Sequence, residues 1–228
     1  MNKKQCRFFP AYALFPVSLV ILINFLTFYG TRLISSGFTH YDLALSLDGR
    51  LPFVPFFIFF YILAYIQWVA SYIFIAREGQ TFCYRTVAAD LIAKLCCAVI
   101  FLVLPTSMAR PEVTGTDIWS RLVSLIYALD TPDNLFPSIH VVESWLCLRA
   151  AFRMKKPGRW YRHVSLVVTL LVFLSVLLVK QHLVLDVAGG ILVMEIGLFL
   201  AEKLRAERFF ERLQSRFFKK SAGAEEAL

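Results

Sequence analysis

Charged residues are scarce in this chain. Asp, Glu, Lys and Arg make up only 18% of its 228 residues, whereas 58% of the residues are apolar. A typical soluble domain has about 25% charged and 45–50% apolar residues. The composition therefore excludes a soluble enzyme with a large core and predicts an integral membrane protein. The length suits one compact bundle, and no linker separates two domains.

Cysteine motifs are also missing. The chain has five cysteines but no CxxC pair and no Cys/His spacing of the kind that holds a metal ion. The sequence thus predicts neither a disulfide framework nor a cysteine-based metal centre. The cysteines that lie in or beside apolar segments are expected to pack in the membrane.

Long apolar runs are what the chain has in abundance. A bilayer core needs about 20 apolar residues per helix, and the sequence offers six candidate segments: residues 8–29, 52–76, 86–104, 138–152, 163–179 and 182–201. The fourth segment is short and contains Glu143 and Arg149, so hydropathy alone favours it least. The first follows Lys3, Lys4 and Arg7 but is too long for a signal peptide, and we expect a retained anchor.

The distribution of Lys and Arg predicts the orientation of these segments. With the N-terminus inside, the inner connections and tail hold 17 Lys and Arg residues and the outer ones hold five. This bias predicts six spans with both termini cytoplasmic, and it places His140 and His182 at the same outer face. The net charge of +8 is therefore attributed to membrane topology, and no nucleic-acid partner is expected.

Two further helices are expected outside the spans. In the second outer loop, residues 105–137, Trp119, Leu122, Val123, Ile126 and Tyr127 recur at helical spacing and predict a short interfacial helix. The tail after Ala201 mixes basic and apolar residues, which is typical of an amphipathic helix on the cytoplasmic leaflet. The predicted fold is all-α, with a six-helix membrane domain over residues 1–201 and a basic tail over residues 202–228.

Polar residues interrupt the last two apolar segments at Lys180, His182 and Asp186. All three are costly if they face lipid. On a helix, His182 and Asp186 share one face, because they are four residues apart. A carboxylate one turn from an imidazole can hold one ring nitrogen and leave the other free to attack or to take a proton.

A second polar stretch, at residues 136–140, opens the fourth segment. Ser138 after Pro137 is a good N-cap, so the first amides of this helix are expected to point outward and to attract phosphate. His140 lies in that first turn, and Arg110 can come down from the second outer loop. Two imidazoles, a carboxylate, cations including Lys180, and a helix N-terminus together are what phosphoryl transfer requires.

At these residues the chain resembles the type 2 phosphatidic acid phosphatase superfamily, over roughly residues 110–190. Three blocks carry the resemblance: Arg110-Pro111, then residues 137–140, then His182 and Asp186 followed by Gly189-Gly190. The resemblance implies a six-span lipid phosphatase or phosphotransferase that needs no cofactor or metal. His182 would form a phosphohistidine and Asp186 would orient it. His140 would protonate the leaving group, and Arg110 and Ser138 would bind phosphate.

The chain departs from the family at two cations. Val103 stands where the first block usually has Lys, and Val176 stands where the third block usually has Arg. Lys180 is the candidate substitute as a phosphate ligand, and the run Lys180-Gln181-His182 is closer to the branch that resembles inositol-phosphoceramide and sphingomyelin synthases. The acceptor of the phosphoryl group therefore stays open between water and a lipid hydroxyl.

Three functions follow as alternatives. The first is a lipid phosphate or diphosphate phosphatase that acts at the outer face of a bacterial cytoplasmic membrane. The second is a lipid head-group phosphotransferase, and the third is an inactive lipid-binding or transport protein of the same fold. The presence of His140, His182 and Asp186 together argues against the third alternative.

Charged residues inside the predicted spans form a separate group. Asp90 and Lys94 are four residues apart, which predicts a structural ion pair. Lys94, Arg149 and Glu195 lie at similar depths by helical rise, about 1.5 Å per residue, so we predict one buried polar layer that locks three helices. Glu143, one turn from His140, is a candidate for tuning that imidazole.

Overall fold

The computed structural model describes residues 8–215, which are predominantly helical and contain no β-strand. Helix formation follows the long apolar runs of the sequence, because a helix satisfies its backbone hydrogen bonds internally. The helices, in chain order, are α1 (Ala11–Phe25), α2 (Thr31–Ser35), α3 (Ile58–Glu78), α4 (Gln80–Val103), α5 (Ile118–Leu129), α6 (Ile139–Arg153), α7 (Arg159–Leu178) and α8 (Val184–Lys203).

Five helical stretches are long and apolar enough to cross a membrane: Ala11–Ser35, Pro55–Glu78, Gln80–Val103, Arg159–Leu178 and Val184–Lys203. The first of them joins α1 to α2 through a π-helical turn at Leu26–Gly30. These stretches overlap five of the six predicted segments. The prediction of an all-helical integral membrane protein is confirmed at this level.

The fourth predicted segment forms α6, which has only 15 residues and is too short to count among those five. It nevertheless crosses the bundle beside α3, α4, α7 and α8. At its start, the Ser138 amide donates to the Asp186 carbonyl oxygen at 3.2 Å. Just past its end, the Lys155 amide donates to Glu78 Oε1 at 3.0 Å. We call the end of the bundle at Ser138 the histidine end and the end at Lys155 the basic end.

Charged side chains inside the bundle form two separate groups, of which only one is buried, so the prediction of one buried layer was wrong. Lys94 is fully buried; its ammonium donates to Asp90 Oδ2 at 2.7 Å and also contacts the Glu143 carboxylate. Arg149 pairs separately with Glu195 at 3.3 Å, and both of these side chains are more than one-third exposed. Glu143 is thus bound to Lys94 and is not directed at His140.

Outside the long stretches, α5 lies in the connection between α4 and α6, where the spacing predicted a helix. The Asp117 carboxylate caps it by accepting from the amides of Trp119 and Ser120, and the Ser120 hydroxyl donates to the same carboxylate at 2.6 Å. The hydroxyl of Ser120 and then these amides lower the pKa of Asp117. The placement of α5 at a membrane surface stays a prediction.

The described part of the tail packs on the bundle. Residues 207–215 are helical, and Arg85 holds Glu207 with two hydrogen bonds of 2.7 and 3.1 Å. These bonds lower the pKa of the Glu207 carboxyl. The rest of the predicted amphipathic tail, residues 216–228, lies outside the described residues.

Candidate active site

The two candidate histidines meet at the histidine end of the bundle. His140 lies in the first turn of α6, and His182 lies in the connection between α7 and α8. Their ring centroids are 5.9 Å apart. This separation is on the scale of one phosphate group with a nitrogen on each side of it, given hydrogen bonds and contacts of about 3 Å.

A tight turn after α7 positions His182. Lys180 has a φ of 52°, in the left-handed region, and this reverses the chain. The amides of Gln181 and His182 then both donate to the Val176 carbonyl oxygen, at 2.9 and 3.0 Å. Because α8 begins only at Val184, His182 precedes the helix, and the predicted helix start at residue 182 is two residues early.

Asp186 still reaches His182, although the two do not share a helix face. Asp186 is fully buried, and its Oδ2 accepts the amide of Leu183 at 2.7 Å. The same oxygen lies 3.4 Å from His182 Nδ1, beyond ordinary hydrogen-bond length but close enough to favour a proton on that nitrogen. Nε2 is then the ring nitrogen that stays free to act as a nucleophile.

The start of α6 supplies amides for an anion. Ser138 is the N-cap, as predicted, and its Oγ accepts the amide of Val141 at 3.4 Å. The Ser138 side chain is fully buried. Unpaired amides at a helix start, together with the helix dipole, favour a phosphate oxygen, and His140 projects from the same turn.

Gly190 allows α6 and α8 to approach each other at this point. A Cβ at position 190 would lie 2.8 Å from Val141 Cβ and 2.9 Å from the Ser138 carbonyl oxygen. The second of these atoms belongs to the backbone and cannot turn away. Gly189 is similarly close to the ring of Phe136. The glycine pair is therefore required by the packing that joins the two histidine-bearing segments.

Substitution Gly190→Ala is expected to destabilise the protein by about 1–3 kcal/mol, because an added methyl group overpacks the contact between α6 and α8. Thermal unfolding of the purified variants in detergent measures this loss. Gly30→Ala is the matched control, since nothing lies within 4 Å of a Cβ there. Equal stability of the Gly190→Ala variant and the control would contradict the packing argument.

Aromatic side chains of α3 surround His140, and the sequence analysis missed them. The ring centroid of His140 lies 4.3 Å from that of Tyr61 and 5.3 Å from that of Trp68. The Tyr65 hydroxyl lies 3.3 Å from His140 Nε2. Their spacing in the sequence could have revealed them, because residues at i, i+4 and i+7 lie on one face of a helix.

Arg110 approaches the site from the second outer loop, but it contacts Gln181 and not His182. Its guanidinium donates to Gln181 Oε1 and to the Asp130 carbonyl oxygen, each at 2.5 Å. It also lies over the ring of Tyr127, 4.6 Å from the centroid. Burial lowers the pKa of Arg110.

Two buried donors beside His182 have no partner within residues 8–215. They are Nε of Arg110 and Nε2 of Gln181. A buried N–H group without an acceptor costs about 1–3 kcal/mol, so an incoming anion that accepts from them would be stabilised. Gln181 was not among the predicted site residues, although it stands directly before His182.

Lys180 is not brought to the histidines. Its ammonium donates to the carbonyl oxygens of Asp48 and Leu51, at 2.9 and 2.8 Å. The Asp48 carboxylate in turn accepts the amide of Val184 at 2.8 Å. Lys180 therefore holds the connection between α2 and α3 against the start of α8.

An uncharged valine stands at each of the two positions where the resembled family usually has a cation. Val103 lies at the end of α4 and is 77% exposed. Val176 is fully buried, and its carbonyl oxygen holds the turn that carries His182. Among the described cations, Arg110 contacts Gln181, the residue directly before His182, and Arg32 pairs with Asp133 at 2.7 Å.

A cavity of about 310 Å³ lies at the two histidines. His140, Gln181 and His182 line it, together with residues of α1, α3, α5 and the loop before α6. Asp130 also lines the cavity, and burial raises the pKa of its carboxyl. Residues 8–215 contain no group of three or more His, Cys, Asp or Glu side chains placed to hold a metal ion.

A comparison with known protein families shows which family the chain matches. A family model described as the PAP2 superfamily matches residues 37–200, more than half of the chain. The match includes both histidines and the segments that carry them. No curated protein and no solved structure matches the chain.

Proposed function

Because the chain belongs to the PAP2 superfamily, we propose that it is an integral-membrane phosphatase that acts on a lipid phosphate or diphosphate. The observation that carries the proposal is the 5.9 Å separation between the rings of His140 and His182. The buried carboxylate of Asp186 behind His182 and the start of α6 beside His140 complete a set of groups suited to phosphoryl transfer.

In the first step of the proposed reaction, Nε2 of His182 attacks phosphorus in line with the ester oxygen. The N–P bond forms as the P–O bond breaks, and His140 donates a proton to the leaving oxygen. Asp186 stabilises the positive charge that develops on the His182 ring. The products of this step are a phosphohistidine and the dephosphorylated lipid.

The hydrogen-bond donors and the positive charge that this step requires have four proposed sources. The amides of the first turn of α6 would donate to the equatorial phosphate oxygens, as would the Ser138 hydroxyl. Arg110 and Gln181 would contribute their unpartnered N–H groups from the other side. Together these groups would stabilise the charge without a metal ion.

In the second step His140 would take a proton from the acceptor, and the acceptor oxygen would attack the phosphohistidine. With water as the acceptor, inorganic phosphate is released and His182 is restored. This is the phosphatase activity that we place first.

Transfer to a lipid hydroxyl is the second candidate, and Asp130 is the observation that favours it. Its carboxyl lines the same cavity as the two histidines, yet the phosphohistidine steps do not use it. A carboxyl group at this place can accept a hydrogen bond from an acceptor hydroxyl. Transfer to a lipid hydroxyl would also place the chain in the branch that resembles inositol-phosphoceramide and sphingomyelin synthases.

The orientation in the membrane is part of the proposal. We place the basic end in the cytoplasm, because inner connections are rich in Lys and Arg, and the histidine end at the outer face of a bacterial cytoplasmic membrane. The crossing of the bundle by α6 supports six spans over residues 1–201. Residues 202–228 would form the basic cytoplasmic tail.

A substrate panel tests the proposed function. Purified protein in detergent should release phosphate from at least one lipid phosphate or diphosphate, and release should persist in EDTA. The same panel with and without a hydroxyl lipid separates hydrolysis from transfer, since transfer yields a new phospholipid and no free phosphate.

The blank for this panel is the double variant His140→Ala/His182→Ala. Absence of turnover by the wild-type protein on every substrate, or equal turnover by the blank, would reject the enzyme. In either case the protein would be a lipid-binding or transport protein of the same fold.

A further inference from the structure

A second cavity, of about 360 Å³, lies at the basic end of the bundle, far from the histidines along α6. It is enclosed by α4, α6 and α8. Three arginines line it: Arg85 from α4, and Arg149 and Arg153 from α6. Apolar side chains such as Leu146 and Leu198 line the same space. The cavity thus combines guanidinium groups with an apolar wall.

The three arginines differ in how far their donors are used. Arg85 is held by two hydrogen bonds to Glu207. Arg149 and Arg153 approach Glu195 and Glu202 at 3.3 and 3.5 Å, but within residues 8–215 neither guanidinium donates a hydrogen bond. A guanidinium has five N–H donors, so both groups keep donors available for a ligand.

Arg149 and Arg153 are also well placed to act together. They are four residues apart on α6 and therefore lie on one face of the helix. Their side chains are 39% and 44% exposed, so a ligand can reach them without unfolding the bundle. The planar fork of Arg matches the oxygens of a phosphate group.

We infer that this cavity binds the phosphate of an anionic lipid in the cytoplasmic leaflet. The inference rests on the orientation proposed above, but not on the catalytic activity. A lipid fits better than a soluble anion, because the apolar wall can contact the upper acyl chain while the arginines hold the phosphate. Basic pockets between membrane helices on the cytoplasmic side bind such head groups.

The carboxylates of Glu195 and Glu202 set the specificity in this arrangement. Glu195 is anchored by the indole N–H of Trp145, which donates to Oε1 at 2.7 Å. It stays near Arg149 and neutralises part of its charge. A singly charged phosphodiester therefore suits the cavity better than a more highly charged head group, which the two carboxylates would repel.

Thermal unfolding in detergent tests this site. Adding phosphatidylglycerol should raise the Tm of the wild-type protein in a saturable way, because a ligand that binds only the folded state stabilises it. Phosphatidylcholine at the same concentration should raise it less. In the variant Arg149→Gln/Arg153→Gln, half-saturation should need roughly tenfold more phosphatidylglycerol.

The control variant Arg159→Gln/Arg208→Gln removes two exposed basic residues from the same end, outside the cavity, and should keep the wild-type response. A third variant, Arg149→Lys/Arg153→Lys, retains the charge and should respond between the two, which separates ligand binding from loss of folding.

Two results would overturn the inference. One is an equal phosphatidylglycerol response in the cavity and control double variants, which would indicate general attraction to a basic surface. The other is an equal response to inorganic phosphate alone, which would replace the lipid by a soluble anion.

Discussion

The variants His182→Ala and His140→Ala are expected to fail at different steps, and a substrate with a good leaving group should separate them. Loss of His182 removes the nucleophile, so turnover should fall by at least about 10⁴-fold on every substrate. Loss of His140 removes the acid, which typically contributes about 10²–10⁴-fold. In the first step, the loss in His140→Ala should appear mainly with lipid phosphates, whose alkoxide leaving groups need a proton.

With 4-nitrophenyl phosphate the leaving group needs no proton. The His140→Ala variant should then release about one equivalent of nitrophenol in a burst, because the first step proceeds and the second lacks its base. Phosphate should remain on the protein as an alkali-stable, acid-labile adduct, detectable by mass spectrometry at His182. The His182→Ala variant should show neither the burst nor the adduct.

Asp186→Asn is the companion variant for this experiment. An amide still accepts the Leu183 amide, so the start of α8 is kept while the charge behind His182 is lost. Combined with His140→Ala, it should give a slower burst than His140→Ala alone. If His182→Ala showed a burst equal to that of His140→Ala, phosphohistidine formation at this residue would be disproved.

The second large effect is expected from Lys94→Met in the centre of the bundle. Lys94 holds Asp90 and Glu143 together, and Tyr72 also donates to Asp90. All three charged groups are buried. Removing the one cation leaves two carboxylates side by side without compensation, and breaking a buried ion pair in this way costs about 3–5 kcal/mol.

Thermal or denaturant unfolding in detergent measures this loss. The triple variant Lys94→Met/Asp90→Asn/Glu143→Gln should recover most of it, because no charge remains buried. Lys155→Met, at an exposed position, should change stability by less than about 0.5 kcal/mol. A single variant as stable as the wild-type protein, or a triple variant no better than the single one, would refute this account.

Local patterns predicted the features that depend on local chemistry. The apolar runs predicted the long helices with ends that lie within six residues of the observed ones, since burial of the backbone in lipid leaves few alternatives to a helix. Ser138 was recognised as an N-cap from its residue type and its neighbours. The helix in the second outer loop followed from the spacing of Trp119, Val123 and Tyr127.

Longer-range contacts could not be read from these patterns. The prediction that Lys180 binds phosphate relied on its nearness in sequence to His182, but the left-handed turn directs its ammonium to Asp48 and Leu51. The predicted polar layer relied on equal depths. Depth along a helix does not determine the direction of a side chain, and Lys94 and Arg149 face different neighbours.

The sequence by itself determined that this protein is a helical membrane protein, and the blocks that contain His140, His182 and Asp186 determined its resemblance to the type 2 phosphatidic acid phosphatase superfamily. Composition is sufficient for the first conclusion, and residue identity and spacing within the blocks are sufficient for the second. Only the tertiary structure decided that Gln181 and the aromatic face of α3 belong to the site, and that Gly190 permits its closure. These are contacts between segments 40 or more residues apart, and helix periodicity specifies faces without specifying which faces meet.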